Sequence, residues 1–165
     1  MFNSTNAFRF FSMMIVMTVT TIAAIGCLGN ITDSESNLQF VRHVFSMDTT
    51  YNSPDIMWRA VTAPSVHMIG FISIIIIEAT LTFCGFLGLF KLAKHFNSDS
   101  QTFEQQKTLA LIAMGLAVLV WGFIFQAAGG EWFASWQSQH WNGLRDATRI
   151  VMMAMLGGVC LKLAK

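Results

Sequence analysis

Four long apolar stretches, at about Phe10–Gly29, Ser65–Phe90, Thr108–Gly129 and Ala147–Leu163, constrain this 165-residue chain more than any other feature. A bilayer core about 30 Å thick takes roughly 20 helical residues, with a range of about 17 to 25, and each stretch reaches that length. Backbone polar groups in lipid must be satisfied within the structure that crosses it, so only helices and closed barrels span a membrane. The alternating strands of a barrel are absent from the sequence, which leaves helices. Composition agrees, with 54% of residues hydrophobic and only 12% charged, where soluble domains carry roughly a quarter. The expected fold is all-α: a single integral membrane domain over residues 1–165, built as a four-helix transmembrane bundle with an extracytoplasmic amphipathic helix and an aromatic-rich outer loop.

The first stretch follows Arg9 and ends Ala23-Ala24-Ile25-Gly26-Cys27, which invites comparison with a cleaved signal. Its apolar run exceeds the roughly 7–15 residues of a signal core, so a retained helix is expected. Lys and Arg set the orientation. With both termini cytoplasmic, the inner side holds Arg9, Lys91, Lys94, Lys107, Lys162 and Lys165, and the outer side Arg42, Arg59, Arg145 and Arg149. All the lysines fall inside, so the expected location is the inner membrane with both termini in the cytoplasm. A net charge of +1 gives no electrostatic footprint for nucleic acid.

Two loops then lie outside, residues 30–64 and 130–146. In the first, Leu38, Val41 and Phe45 recur at helical spacing between Glu35 and Met47, the pattern of an amphipathic helix, with Asp33 or Ser34 placed to cap it. Pro64 suits the first turn of the next helix. The inner segment Lys91–Lys107 is polar and reads as a solvated turn.

The second outer segment, GGEWFASWQSQHWNG (Gly129–Gly143), is the most distinctive string in the chain. Tryptophan beside the end of a span is ordinarily an interfacial anchor, and that reading serves Trp58, Trp132, Trp136 and Trp141 taken singly. Glu131, Gln137, Gln139, His140 and Asn142 crowd the same string, and apolar walls with convergent polar groups also describe a binding site. Gly129-Gly130 and Asn142-Gly143 supply the backbone freedom of a folded loop. Gln126 lies one turn earlier. Arg145 and Arg149 share a helix face and repel unless an acid or a lipid phosphate lies opposite; Glu131, Asp48 and Asp55 are the acids within reach. Snorkelling at the interface is the plainer role for both. Arg59 joins them in a candidate anion or headgroup pocket beneath the connector.

The run MDTT…WRAVTAP (Met47–Pro64), followed by GGEWFASWQSQHWNG and an apolar helix, resembles a bacterial family of predicted small integral membrane proteins of unknown function. The resemblance implies a fold and a location over nearly the whole chain. It implies no activity and no catalytic residues.

Glu78 is the one carboxylate deep within a span, and an ionisable group there is costly enough to suggest function. Thr18, Thr20, Thr21 and the Trp121 N–H lie at similar depth as candidate hydrogen-bond partners. The bland role is a bond that fixes helix packing; the functional one is proton or ion handling. Three of the four histidines, His43, His67 and His140, fall on the outer side, where zinc or copper would accept them, but they form no paired helical motif and no metal or cofactor is expected. Cys27, Cys84 and Cys160 make no C-x-x-C pair. Small residues at Gly85 and Gly88, at Gly115 and Gly122, and from Ala154 to Gly158 suit close helix packing. The function expected is a non-enzymatic accessory protein that binds a partner protein or lipid headgroup through its outer face. The alternatives are a small ion-coupled transporter using Glu78 and a metal- or cofactor-binding redox protein.

Overall fold

The computed structural model describes residues 3–165, and its regular structure is all helix, with no strand among the described residues. Helix α1 (Ser4–Thr32) is capped by the Asn3 side chain, which accepts the Asn6 N–H at 2.9 Å. It gives way at Asp33 alone to α2 (Ser34–Ser46), and Asp33 makes no side-chain cap there. α3 (Pro64–Lys94) opens on its proline. A short α4 (Ser100–Gln105) leads to α5 (Thr108–Ala117), which continues unbroken as a π-helix (Val118–Trp132). α6 (Leu144–Leu163) closes the chain.

Helices α1, α3 and α5 with its π extension are 29, 31 and 25 residues long, and each is apolar enough to cross a membrane. α6 is shorter, at 20 residues, and carries Arg145, Asp146, Arg149 and Lys162. It packs antiparallel to α1, with Gly157 on Ile15 and the end of the chain at Lys165 beside Arg9. In lipid, apolar side chains gain little by leaving one apolar medium for another, so small residues and hydrogen bonds govern packing. Glycines mark the closest approaches. A Cβ at Gly85 would fall 2.3 Å from Thr20 Oγ1, and one at Gly157 would fall 3.0 Å from Ile15 Cγ2. The core between them holds Val16, Val19, Leu81, Ala113, Ala117 and Ile150.

One end of the bundle carries α2 and the segments around residues 47–63 and 133–143, together called the cap here. α2 buries Leu38 and Val41 of the expected stripe together with Val44 beside it, while Phe45 is half-buried. It rests on the first turns of α3, where Gly70 leaves room for Phe45. α2 stops at Met47, fully buried and in the left-handed region at φ 54°.

The other end differs from the solvated turn expected over Lys91–Lys107. Phe103 is fully buried, with the Arg9 guanidinium 4.1 Å and the Lys107 ammonium 5.6 Å from its ring centre. Arg9 donates from Nε to the Lys165 backbone oxygen at 2.6 Å and from Nη1 to the carbonyls of Phe96 and Ser98. Lys107 donates to the Ala164 carbonyl and to Glu104. These bonds latch α1, the α3–α4 turn and the end of α6 together. Asp99 caps α4, accepting the N–H groups of Gln101 and Thr102 at 3.0 Å.

Lys107 and Lys162 beside Glu104 hold its carboxyl below the usual value of 4.5. A depressed folded-state pKa contributes stability that is present above the unfolded value and lost as pH falls through the folded one. Wild type should therefore lose stability on acidification below the ordinary carboxylate range, and Glu104→Gln should flatten that limb in melts taken across pH. The Glu104 side chain is 45% exposed, so solvent screening keeps the effect small.

Candidate functional site

The distinctive string is only partly a connector. Its first residues, Gly129 to Trp132, complete the π-helix, and the Phe133 N–H reaches back five residues to the Ala128 carbonyl at 3.0 Å. Gly129 and Gly130 thus provide helix packing rather than loop freedom. No glycine has positive φ among the described residues, and a Cβ at Gly130 would fall 2.6 Å from Leu144 Cδ2. The turn is made instead at Ala134, at φ 52°. The sequence missed this because glycine permits a turn but also permits close approach, and only the neighbour decides between them.

The rest of the connector is tied to the segment after α2. Thr49 Oγ1 donates to Ser138 Oγ at 2.9 Å, and the Tyr51 N–H donates to Gln137 Oε1 at 2.9 Å. Ser138 Oγ also accepts the Trp141 N–H at 3.0 Å, and Asn142 Oδ1 accepts the Leu144 N–H at 3.1 Å. The amides read as ligand groups are thus partly spent in holding the cap together. Trp141 stacks on His43 at 4.5 Å, and His43 Nδ1 meets Asp48 at 2.8 Å. Thr49, Tyr51 and Ser138 were not singled out by sequence, because pairing between distant loops leaves no local pattern.

Four aromatic rings project outward among exposed polar residues. Tyr51 and Trp136 meet edge to face at 6.1 Å, and Trp58 and Trp132 do so at 5.6 Å. The Arg59 guanidinium lies 5.6 Å from the Trp58 ring and 5.1 Å from the Trp132 ring, and Nη1 reaches the Trp132 carbonyl at 3.5 Å. Arg59 Nε is buried with no partner among the described residues, as is Gln126 Nε2. Glu131 and His140 are exposed.

Beneath the connector the space is filled. Phe125 and Phe40 each come within 3.2 Å of a Cβ placed at Gly143, and a cavity of about 30 Å³ remains between Phe40, Val44, Ile124 and Phe125. That is the room of roughly one water molecule, so the cap offers a surface rather than a pocket. Arg145 and Arg149 lie on the outward side of α6, with Arg149 3.3 Å from Asp146 rather than against Glu131. His67 is buried with Nε2 2.7 Å from the Val61 carbonyl. His43, His67 and His140 therefore have separate surroundings, and no group of three or more His, Cys, Asp or Glu suited to a metal ion occurs among the described residues.

Glu78 is buried against α1. Its Oε2 accepts the Asn30 side-chain N–H at 2.8 Å, and Oε1 faces Gly26, where a Cβ would lie 3.5 Å away. Neither Thr18 nor Thr20 bonds it: Thr18 bonds the Met14 carbonyl of its own helix, and the Thr20 hydroxyl, buried against Gly85, has no hydrogen-bond partner among the described residues. Glu78 is far along its own helix, yet Gly26 is only six residues from the end of α1, about 9 Å along the axis. Asn30→Leu should leave the acid without a donor and destabilise the protein by about 1–2 kcal/mol. Glu78→Gln keeps an oxygen for Asn30 and should melt close to wild type in detergent. Equal melting of the two variants would remove the pair's structural role.

Residues 8–164 match a family described as "Predicted small integral membrane protein (DUF2165)". No curated protein and no solved structure matches the chain.

Proposed function

The chain belongs to this family of predicted small integral membrane proteins, and from that premise we propose a non-enzymatic membrane component that docks a partner membrane protein on the aromatic ridge of its cap. In this reading α6 is the fourth crossing, the termini are cytoplasmic and the cap faces the outside of a bacterial inner membrane. One observation carries it: Tyr51 is 73% exposed, Trp58 69%, Trp136 50% and Trp132 48%, although each ring is already held by an aromatic neighbour. Tyr, Trp and Arg dominate the energetically important positions of interfaces, and rings fixed before binding lose little entropy when a partner arrives.

The test is a photo-crosslinking residue placed at position 136 in native membranes. It should give one defined protein adduct that Tyr51→Ala weakens, whereas the same group at Phe90, on the lipid-facing side near the opposite end, should give none. Only lipid adducts at position 136 would overturn the reading. A second reading, ion-coupled transport through Glu78, draws on Oε1, which has no hydrogen-bond partner among the described residues. It requires Glu78→Gln to abolish a measured proton or solute flux while folding is kept, and an unchanged flux removes it.

A further inference from the structure

We propose that the outward flank of α6 holds the phosphate of an anionic lipid on Arg145 and Arg149, below the height that the apolar belt reaches on α1. The argument is one of register. Gly157 packs on Ile15 of α1. Eight residues toward the cap from that contact, α6 has reached Arg149 and α1 has reached Ala23. Beyond that level α1 still presents Ile25, Leu28 and Ile31 to the outside at 66%, 60% and 60% exposure. Ile31 lies about 12 Å further along the axis. On α6 the same height carries Arg145, Asp146, Thr148 and Arg149, all exposed.

The apolar side of α6 is correspondingly short. It runs from Met152 through Met155, Leu156 and Val159 to Leu163, about 17 Å at 1.5 Å per residue, against a hydrocarbon core of about 30 Å. Charges exposed to hydrocarbon are costly, so polar matter must meet them. The charges present decide which kind. Asp146 takes up Arg149 at 3.3 Å, and Arg145 has no acidic partner among the described residues, so the flank has an excess positive charge. A phosphate supplies the missing anion and accepts charge-assisted bonds from both guanidinium groups. Helical side chains lean toward the helix N-terminus, which for α6 is the cap end, so both arginines point toward the headgroups while the lipid is drawn down to meet them.

This site is separate from the aromatic ridge, and either can fail alone. The experiment places the protein in nanodiscs of equal parts phosphatidylglycerol and phosphatidylcholine and counts lipids retained on release by native mass spectrometry. Wild type should keep phosphatidylglycerol preferentially. Arg145→Gln with Arg149→Gln should retain it roughly tenfold less, about 1.4 kcal/mol. Arg42→Gln, a cap cation paired with Glu35, should match wild type. Should the double glutamine variant melt early, replacing both arginines by lysine keeps the charges and should keep most of the lipid. Equal retention in all variants overturns the proposal. Displacement of the lipid by millimolar inorganic phosphate would overturn it in favour of a soluble-anion site, and a lipid-free dimer would assign the flank to a second copy.

Discussion

Gly88→Ala should force α3 away from α5 and cost about 3 kcal/mol or more, at the upper end of what overpacking does. A Cβ at Gly88 would fall 2.6 Å from the Ala110 backbone nitrogen and 3.0 Å from its Cα. A side chain could rotate out of such a contact; a helix backbone cannot. Gly85→Ala is the informative companion, because there the obstacle is the Thr20 side chain, at 2.3 Å from Oγ1, and Thr20→Ala should relieve part of the cost. Gly115→Ala is the control. Beyond its own turn of helix nothing lies within 4 Å of a Cβ there, and alanine is favoured over glycine in helices by up to about 1 kcal/mol. Thermal unfolding in detergent should rank Gly115→Ala at or above wild type and Gly88→Ala far below it. If the two melt together, the α3–α5 contact is looser than this structure has it.

The second large effect is expected at Arg9, only 3% exposed. One planar guanidinium serves three carbonyl oxygens, from Phe96, Ser98 and Lys165, and covers the Phe103 ring. Arg9→Met keeps much of the volume but leaves all three acceptors without their donor, for an expected loss of about 3–5 kcal/mol. Arg9→Lys should recover only part of it, because an ammonium lacks the fork that reaches several oxygens at once. Arg42→Met removes a cation whose pair with Glu35 is exposed, and it should change stability by about 1 kcal/mol or less. The same melts compare all three. Arg9→Met melting beside Arg42→Met would show that the latch carries no weight.

The two sites differ in how far the sequence announced them. Gly85 and Gly88 stood out as small residues in an apolar helix, although only Ala110 and Thr20 reveal which of the two meets backbone. Arg9 read as an inside charge at the edge of a span. Nothing local separates an arginine in solvent from one inserted between an inter-helix turn and the end of the last helix. Lys107 and Phe103 were hidden in the same way within a polar segment. At the cap, the α2 stripe of Leu38 and Val41 was legible from its 3.6-residue period, and the tryptophans were legible as a group. The bonds Thr49–Ser138 and Tyr51–Gln137 were not, since each joins residues nearly ninety positions apart.

The sequence by itself determined the class of the molecule. Runs of apolar residues long enough for a bilayer force backbone groups into helices, and that holds whatever the helices touch. Pro64 heads α3 and Leu163 ends α6 where the apolar pattern has them, but α1 begins at Ser4, six residues before its apolar stretch, and α4 lies within the segment expected as a solvated turn. Tertiary structure alone decided the rest, because it depends on register between helices. It set Glu78 against Asn30 rather than a threonine, and it turned Gly130 from a hinge into a seat for Leu144. It also brought Arg149 level with the apolar face of α1. A shift of a few residues along one axis would change all three pairings and leave the apolar pattern untouched.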